Sequence, residues 1–523
     1  MREQNSVVEF FLKKNILVSP DFLEESDAGE VIKEYDKITE KIKSEDFLVF
    51  SKDVKELLNK SEKLDISWFD LEKARAQLEK GLGKEVYEKF LQYASLEKKE
   101  TKEKDDLKII SSYTAESKKR SMQDFVYFFN KRYRALEGML KTRPELQNIT
   151  TINRLFNKKG RENISLIGMV KDKRTTKNGN LMLNLEDPTG EMKVLVNKNK
   201  PDMFRLADEL VLDEVIGVVG VNGDNIVFAN NVLWPDVPTT KKLKKLDEEV
   251  YAIFLSDLHI GSNNFLGDDF NKFLSWIRGE MGNETQKGIA SKVKYIFIVG
   301  DLVDGCGIFP GQDKELIIKD IYQQYETCAS LLAKIPDRIK MVICPGNHDA
   351  LRIAEPQPAF DNDFSKPLLG LKNVTLVSNP ASVNICSSEN FEGFNLLLYH
   401  GYSFDYYVAN VSALRNKGGY DRADLIMRFL LKRRHLAPTH TSTQYIPDAE
   451  EDPLVIKQVP DFFITGHVHK SIAAHYRNVT LICGSCWQSK TEFQEKVGHN
   501  PEPSRVPIVN LKTREIKILR FGN

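Results

Sequence analysis

Phe254-Leu255-Ser256-Asp257-Leu258-His259-Ile260-Gly261 is the stretch whose reading decides the fold. The apolar run that enters it, Tyr251 to Leu255, has the length of a buried strand, and Gly261 marks the exit. An aspartate and a histidine two residues apart follow the run. At a strand terminus such a pair can aim a carboxylate oxygen and an imidazole nitrogen at one metal ion. Alone the pair says little, because a strand-end aspartate is usually a cap.

Four later stretches repeat the pattern. Tyr295–Val299 runs into Gly300-Asp301-Leu302-Val303-Asp304, and Met341–Cys344 into Pro345-Gly346-Asn347-His348-Asp349. Leu396–Tyr399 runs into His400-Gly401, and Phe462–Ile464 into Thr465-Gly466-His467-Val468-His469. Each has a bland explanation, since buried histidines are mostly satisfied by carbonyls and Gly-Asp is an ordinary turn. Five in order argue for one shared site at the C-terminal edge of an α/β sheet. Neighbouring glycines let the backbone turn sharply and approach closely. The mixed nitrogen and oxygen donors suit Mn²⁺, Fe²⁺ or Zn²⁺ better than Ca²⁺. Helical patterns at Asp269–Met281 and Gln312–Lys334 alternate with these strands, so residues 249–523 are expected to form a layered α/β domain. All nine histidines lie between His259 and His499, which places the chemistry in this part of the chain.

Residues 147–240 have a different texture. Short β-rich runs at Ile164–Val170, Leu181–Leu185, Met192–Val196, Val215–Val219 and Asn225–Phe228 are separated by turn signals such as Lys177-Asn178-Gly179 and Asn222-Gly223-Asp224. Five strands with a helical insert near Met203–Ala207 suit an OB-fold barrel. Such barrels bind single-stranded nucleic acid or dock partners, and few paired aromatics mark the strand faces here. Residues 118–146 are basic with interleaved aromatics (Phe125, Tyr127, Phe128, Phe129, Tyr133). Their spacing favours a helix packed on a core, with the basic residues on its outer face. Residues 93–117 are rich in both signs of charge and read as a flexible linker. Residues 1–92 read as a small helical module, opened by Ser19-Pro20-Asp21.

At 523 residues the chain holds about three domains on size alone. Lys+Arg and Asp+Glu are equal at 75 each, so no global positive field points to nucleic acid and any such role is local. No run approaches the ~20 apolar residues that cross a bilayer, so no membrane association is expected. Six cysteines with no secretion signal suggest a reducing compartment, and a cytoplasmic location is expected. Cys483-Gly484-Ser485-Cys486 has C-x-x-C spacing, but no second pair completes a zinc site, so a structural role is expected.

In this order, D-x-H, G-D-x-x-D, G-N-H-D, H-G and G-H-x-H resemble the calcineurin-like metallophosphoesterase superfamily. The resemblance implies a first metal on Asp257, His259, Asp301 and His469, and a second on Asn347, His400 and His467, with Asp301 shared. It makes His348 a catalytic group beside the scissile phosphate, with Asp349 or another carboxylate to orient it. Two divalent ions are implied, Mn²⁺ foremost, with Fe²⁺, Zn²⁺ or Mg²⁺ as alternatives, and phosphoester hydrolysis is the reaction class.

A narrower resemblance comes from the surroundings. An OB-fold directly before the phosphoesterase domain, with Leu233-Trp-Pro-Asp-Val-Pro238, Ala354-Glu-Pro-Gln-Pro358, Leu431-Lys-Arg-Arg-His-Leu-Ala-Pro438 and Gly484-Ser-Cys-Trp-Gln488, is similar to the small subunits of archaeal family D DNA polymerases. That implies a 3′→5′ proofreading exonuclease, a large catalytic polymerase subunit as partner, and single-stranded or primer-template DNA as substrate. A non-catalytic scaffold subunit and a free-standing metallophosphodiesterase are the alternatives. Arg433 and Arg434 are candidate DNA-binding residues, with a subunit interface an equal reading of the same basic run.

Overall fold

The computed structural model describes residues 106–522 except 115–117, 159, 449 and 497, together with two short strands, Leu17–Val18 and Val49–Phe50. The chain divides into two units, residues 1–102 and 103–523. In the first, the two short strands pair in parallel. The rest of the helical module expected over 1–92, and the head of the linker expected at 93–117, lie outside the described residues.

In the second unit, Tyr251–Leu255 is a strand buried at every position. Tyr251, Ile253 and Leu255 pack under the helices Gly267–Ile277 and Ile321–Leu332, while Ala252 and Phe254 face a second sheet. With both faces covered, the period of two is hidden in a continuous apolar run. The strand pairs in parallel with Val293–Val299, which pairs in parallel with Lys340–Cys344. Arg505–Asn510 flanks it antiparallel. The facing sheet is built on Phe394–Leu398, Phe462–Thr465 and Val479–Gly484, also parallel. Two six-stranded sheets therefore pack face to face, with helices on both outer sides. The parallel strands of both sheets release their chains at one edge.

The second helix is shorter than expected. It spans Ile321–Leu332, and the Asp320 carboxylate caps it by accepting from the amides of Tyr322 and Gln323. The linker reading also needs correction. Leu107–Ser112 is an edge strand of the second sheet, antiparallel to Ala381–Ile385. Asp106 anchors its start by accepting from Lys340 at 2.9 Å and from Tyr295. Ladder bonds and the ion pairs of Asp106 with Lys294 and Lys340 decide this segment, although its neighbours are charged.

Residues 163–233 form a closed five-stranded barrel. Its third and fourth strands are joined through the helix Pro201–Asp208, whose proline occupies the first turn, where its missing N–H costs nothing. Leu166, Val170, Leu183, Leu185, Val194, Val196, Val218 and Val227 alternate into its core.

The basic segment is the helix Met122–Lys141, and it wedges between barrel and sandwich. Tyr133, Leu136 and Leu140 pack with Ile167, Val215 and Val455, and the Tyr133 hydroxyl donates to the Ile167 carbonyl. Arg132 is buried rather than on an outer face. Its Nε lies 2.6 Å from Asp452, which also meets His435 Nε2 at 2.8 Å, and its guanidinium lies over the Phe129 and Tyr445 rings.

The barrel meets the sandwich through the Trp234-Pro235 junction. Glu214 of the barrel is buried, accepts from Trp234 Nε1 at 2.9 Å, and pairs with Arg433 at 2.7 Å. Arg433 also donates to the Glu209 carbonyl, while Arg434 donates to the carbonyls of Ile456, Lys457 and Asp236. Both side chains are buried and their donors are spent inside the interface, which overturns their assignment as DNA-binding residues. The basic run binds the two domains together.

Replacing Asp452 with Ala leaves the Arg132 guanidinium buried without its counter-charge. Unfolding in denaturant should then show a loss of about 3–5 kcal/mol.

Candidate metal centre

Five strand ends deliver the donors. Asp257 and His259 follow Tyr251–Leu255, Asp301 follows Val293–Val299, and Asn347 follows Lys340–Cys344. From the facing sheet, His400 follows Phe394–Leu398, and His467 and His469 follow Phe462–Thr465. All seven residues singled out as ligands in the sequence converge between the two sheet edges.

Around one point lie His259 Nε2, His469 Nε2, Asp257 Oδ1 and Asp301 Oδ2. The two imidazole nitrogens are 3.0 Å apart, His469 is 3.4 Å from Asp257, and His259 is 3.8 Å from Asp301. Around the second lie Asn347 Oδ1, His400 Nε2 and His467 Nδ1, with both nitrogens 3.0 Å from the amide oxygen. Asp301 Oδ2 is 3.2 Å from His400, so this carboxylate serves both sets.

The far nitrogens settle which lone pairs point inward. His259 Nδ1 lies on Asp304 Oδ1 at 3.0 Å, His400 Nδ1 on the Val299 carbonyl at 2.9 Å, and His467 Nε2 on Asp405 at 3.0 Å. Each of these partners is an acceptor, so that nitrogen carries the proton and the other turns its lone pair inward. His469 Nδ1 is held by the Gln494 side-chain amide at 2.9 Å. His469 Nδ1 accepts from that amide, which leaves its proton on the inward Nε2, 3.0 Å from His259 Nε2; the other six inward atoms are acceptors, which repel one another unless a cation or protons lie among them. The donor set fits two divalent cations.

Backbone geometry agrees. Asp257, His259, Asp301, His467 and His469 all have φ between 50° and 69°, a left-handed conformation that costs a non-glycine residue about 1–3 kcal/mol. The loops offset this by binding one another: the His467 amide donates to Asp257, and the His348 amide to Asp301. Two glycines are required by space. A Cβ on Gly300 would strike the His400 ring, and one on Gly346 would strike the Asp301 carboxylate.

Burial opposes the charge on Asp301, but His400 and His348 outweigh it and hold the carboxyl well below its ordinary range. Burial likewise opposes the charge on His400, yet Asp301 pushes its pKa up to about 10. Protons therefore compete with a cation for His400 Nε2.

His348 stands beside the centre, its ring 4.7 Å from that of His259. Its Nδ1 lies 2.8 Å from the Asp304 main-chain carbonyl, which fixes the ring. Contrary to expectation, Asp349 does not orient His348. Its buried carboxylate turns the other way and accepts from the amides of Leu302 and Gly346 and from the Tyr325 hydroxyl. Burial, then the Asp301 charge, push its pKa up to about 7.

Several further residues quoted from the sequence take supporting roles not assigned to them there. Asp304 holds His259, and Gln488 donates to Asp304 at 3.0 Å, which gives the Gly484–Gln488 stretch its use. Gln357 donates to the Gly346 carbonyl and accepts from Asn379, whose own oxygen takes the His400 amide. This explains Ala354–Pro358. Cys483 and Cys486 are buried free thiols, and burial pushes Cys483 up to about 12.

The two-sheet sandwich thus gathers at one edge a set of buried histidine, aspartate and asparagine side chains that could hold divalent metal ions. Residues 252–474 match the family model for the DNA polymerase alpha/epsilon B-subunit, and residues 164–222 match that for an OB-fold nucleic acid binding domain. The chain is 42% identical over 399 residues to a DNA polymerase II small subunit of Methanothermobacter thermautotrophicus, covering 76% of this chain and 79% of the relative. Against the small subunit of Pyrococcus abyssi the figures are 41%, 77% and 63%, so the match spans under two thirds of that longer relative. A solved archaeal phosphodiesterase aligns over 52% of this chain and 99% of its own at 12% identity, with a TM-score of 0.24. The chain belongs to the family of archaeal DNA polymerase II small subunits, those of family D polymerase.

Replacing Asp304 with Ala frees the His259 ring, and metal affinity measured by calorimetry should fall ~10–100-fold with the fold intact. In the unaltered protein, affinity should rise with pH, because each proton lost from the imidazoles frees a lone pair.

Proposed function

We propose that this chain is the two-metal 3′→5′ exonuclease of a family D polymerase, working beside a large catalytic subunit. The observation that carries the reading is the convergence of all seven candidate ligands at one edge, with each of the four imidazoles held on its far nitrogen by its own partner. A subunit kept only as scaffold has no need of five strained ligand backbones or of Asp304, Asp405 and Gln494 behind the imidazoles. The OB barrel, fixed rigidly to the sandwich through Glu214 and Arg433, supports a polymeric substrate or partner rather than a small phosphate ester.

When bound, two divalent ions, Mn²⁺ foremost for these donors, supply charge neutralisation at the phosphate and a nucleophile at neutral pH. The chain's own residues do the rest. Asp257, His259, Asp301 and His469 would hold one ion, and Asn347, His400, His467 and Asp301 the other. His348, with Nδ1 fixed on the Asp304 carbonyl, stabilises the phosphate charge or passes a proton to the leaving oxygen from Nε2.

Replacing His348 with Ala removes that group and leaves every ligand. Exonuclease rate on end-labelled single-stranded and mismatched primer-template DNA should fall ~10²–10⁴-fold, with both metals retained by elemental analysis. His400→Ala should lose metal and rate together. Digestion that persists in excess chelator, or at full rate in both variants, would leave a scaffold with an idle site.

A further inference from the structure

His499 has no part in the ligand set or its support, yet it stands at the edge of the centre. Its main-chain amide donates to the Gln494 carbonyl at 2.8 Å, and Gln494 is the residue that holds His469. The next turn of chain is pinned as well, since the Glu502 amide donates to the His469 carbonyl. The segment carrying His499 is therefore tethered at two points to a metal ligand.

The ring itself is placed by close packing on an aromatic neighbour. It lies 3.9 Å, centroid to centroid, from Tyr420, tilted by 55°. Tyr420 hydrogen-bonds to Asp405, and Asp405 takes the far nitrogen of His467. Half-buried, the imidazole is kept below its ordinary pKa by desolvation, and the charged groups facing it are Asp405, His467, His469 and Lys470. Its ring nitrogens have no hydrogen-bond partner among the described residues. His348 occupies the His259 edge of the centre, and His499 occupies the His467–His469 edge. Tyr402, edge-on to His467 at 5.8 Å, continues the same wall.

We propose that His499 is a further substrate-contacting residue, donating a hydrogen bond to a phosphate oxygen of a single-stranded nucleic acid 3′ end, with Tyr420 as the ring that positions it. An imidazole held against the Tyr420 ring, with its nitrogens unspent, is a donor waiting for an acceptor from outside the protein. A phosphodiester spanning the two ligand sets supplies that acceptor. The inference rests on the exonuclease reading but is tested separately from it.

The test uses the full-length chain loaded with Mn²⁺, as wild type, His499→Ala and His499→Gln. Steady-state hydrolysis of an end-labelled single strand is measured beside equilibrium binding of the same strand with non-cleavable 3′-terminal linkages. Elemental analysis accompanies both. His499→Ala should raise KM and weaken binding ~10–100-fold, the range of one charge-assisted hydrogen bond, with metal content unchanged. His499→Gln, which keeps a donor, should recover a large part of the loss. Wild-type KM and binding in His499→Ala would overturn the proposal, and so would loss of metal from that variant, which makes His499 a structural prop. A wild-type chain that binds the strand without cleaving it would overturn the exonuclease reading, and the binding comparison would still decide His499.

Discussion

The structure depends on a crowd of electron pairs at one edge of a sandwich. His259, His400 and His467 have their far nitrogens on acceptors, and their near nitrogens face Asp257, Asp301 and Asn347. Much of the surrounding architecture serves to hold this unfavourable arrangement in place. Parallel strands of two sheets release their chains at the same edge, the ligand backbones are forced into left-handed conformations, and the loops satisfy one another's amides. Divalent cations turn the stored repulsion into binding energy, so fold and metal affinity are linked.

A second constraint is rigidity between domains. Glu214 and Arg433 form a buried pair across the junction, with Lys432 and Arg433 against the Trp234 ring. The helix Met122–Lys141 fills the remaining gap through Arg132 and its aromatic neighbours. A buried pair of this kind contributes less to net stability than to uniqueness of docking, because its desolvation offsets most of its attraction. Barrel and sandwich are thus held in a fixed relation.

The site was legible in the sequence because each ligand terminates an apolar run, and parallel strands bring such ends together. The five-stranded barrel was legible from its turn signals. What supports the ligands was not, because Asp405, Gln488 and Gln494 come from loops and helices whose spacing carries no period. Asp349 adjoins His348 in sequence but projects backward into the turn it stabilises, so adjacency misled. Arg433 and Arg434 read as a surface charge run, and only the fold reveals that Glu214 and four main-chain carbonyls consume them. Leu107–Ser112 was hidden among charged residues because an edge strand rests on ladder bonds more than on buried side chains.

Anomalous diffraction from crystals grown with Mn²⁺ tests the account most directly. It predicts two peaks sharing Asp301, one among Asp257, His259 and His469, the other among Asn347, His400 and His467. A single peak, or none at saturating Mn²⁺ and neutral pH, would contradict it.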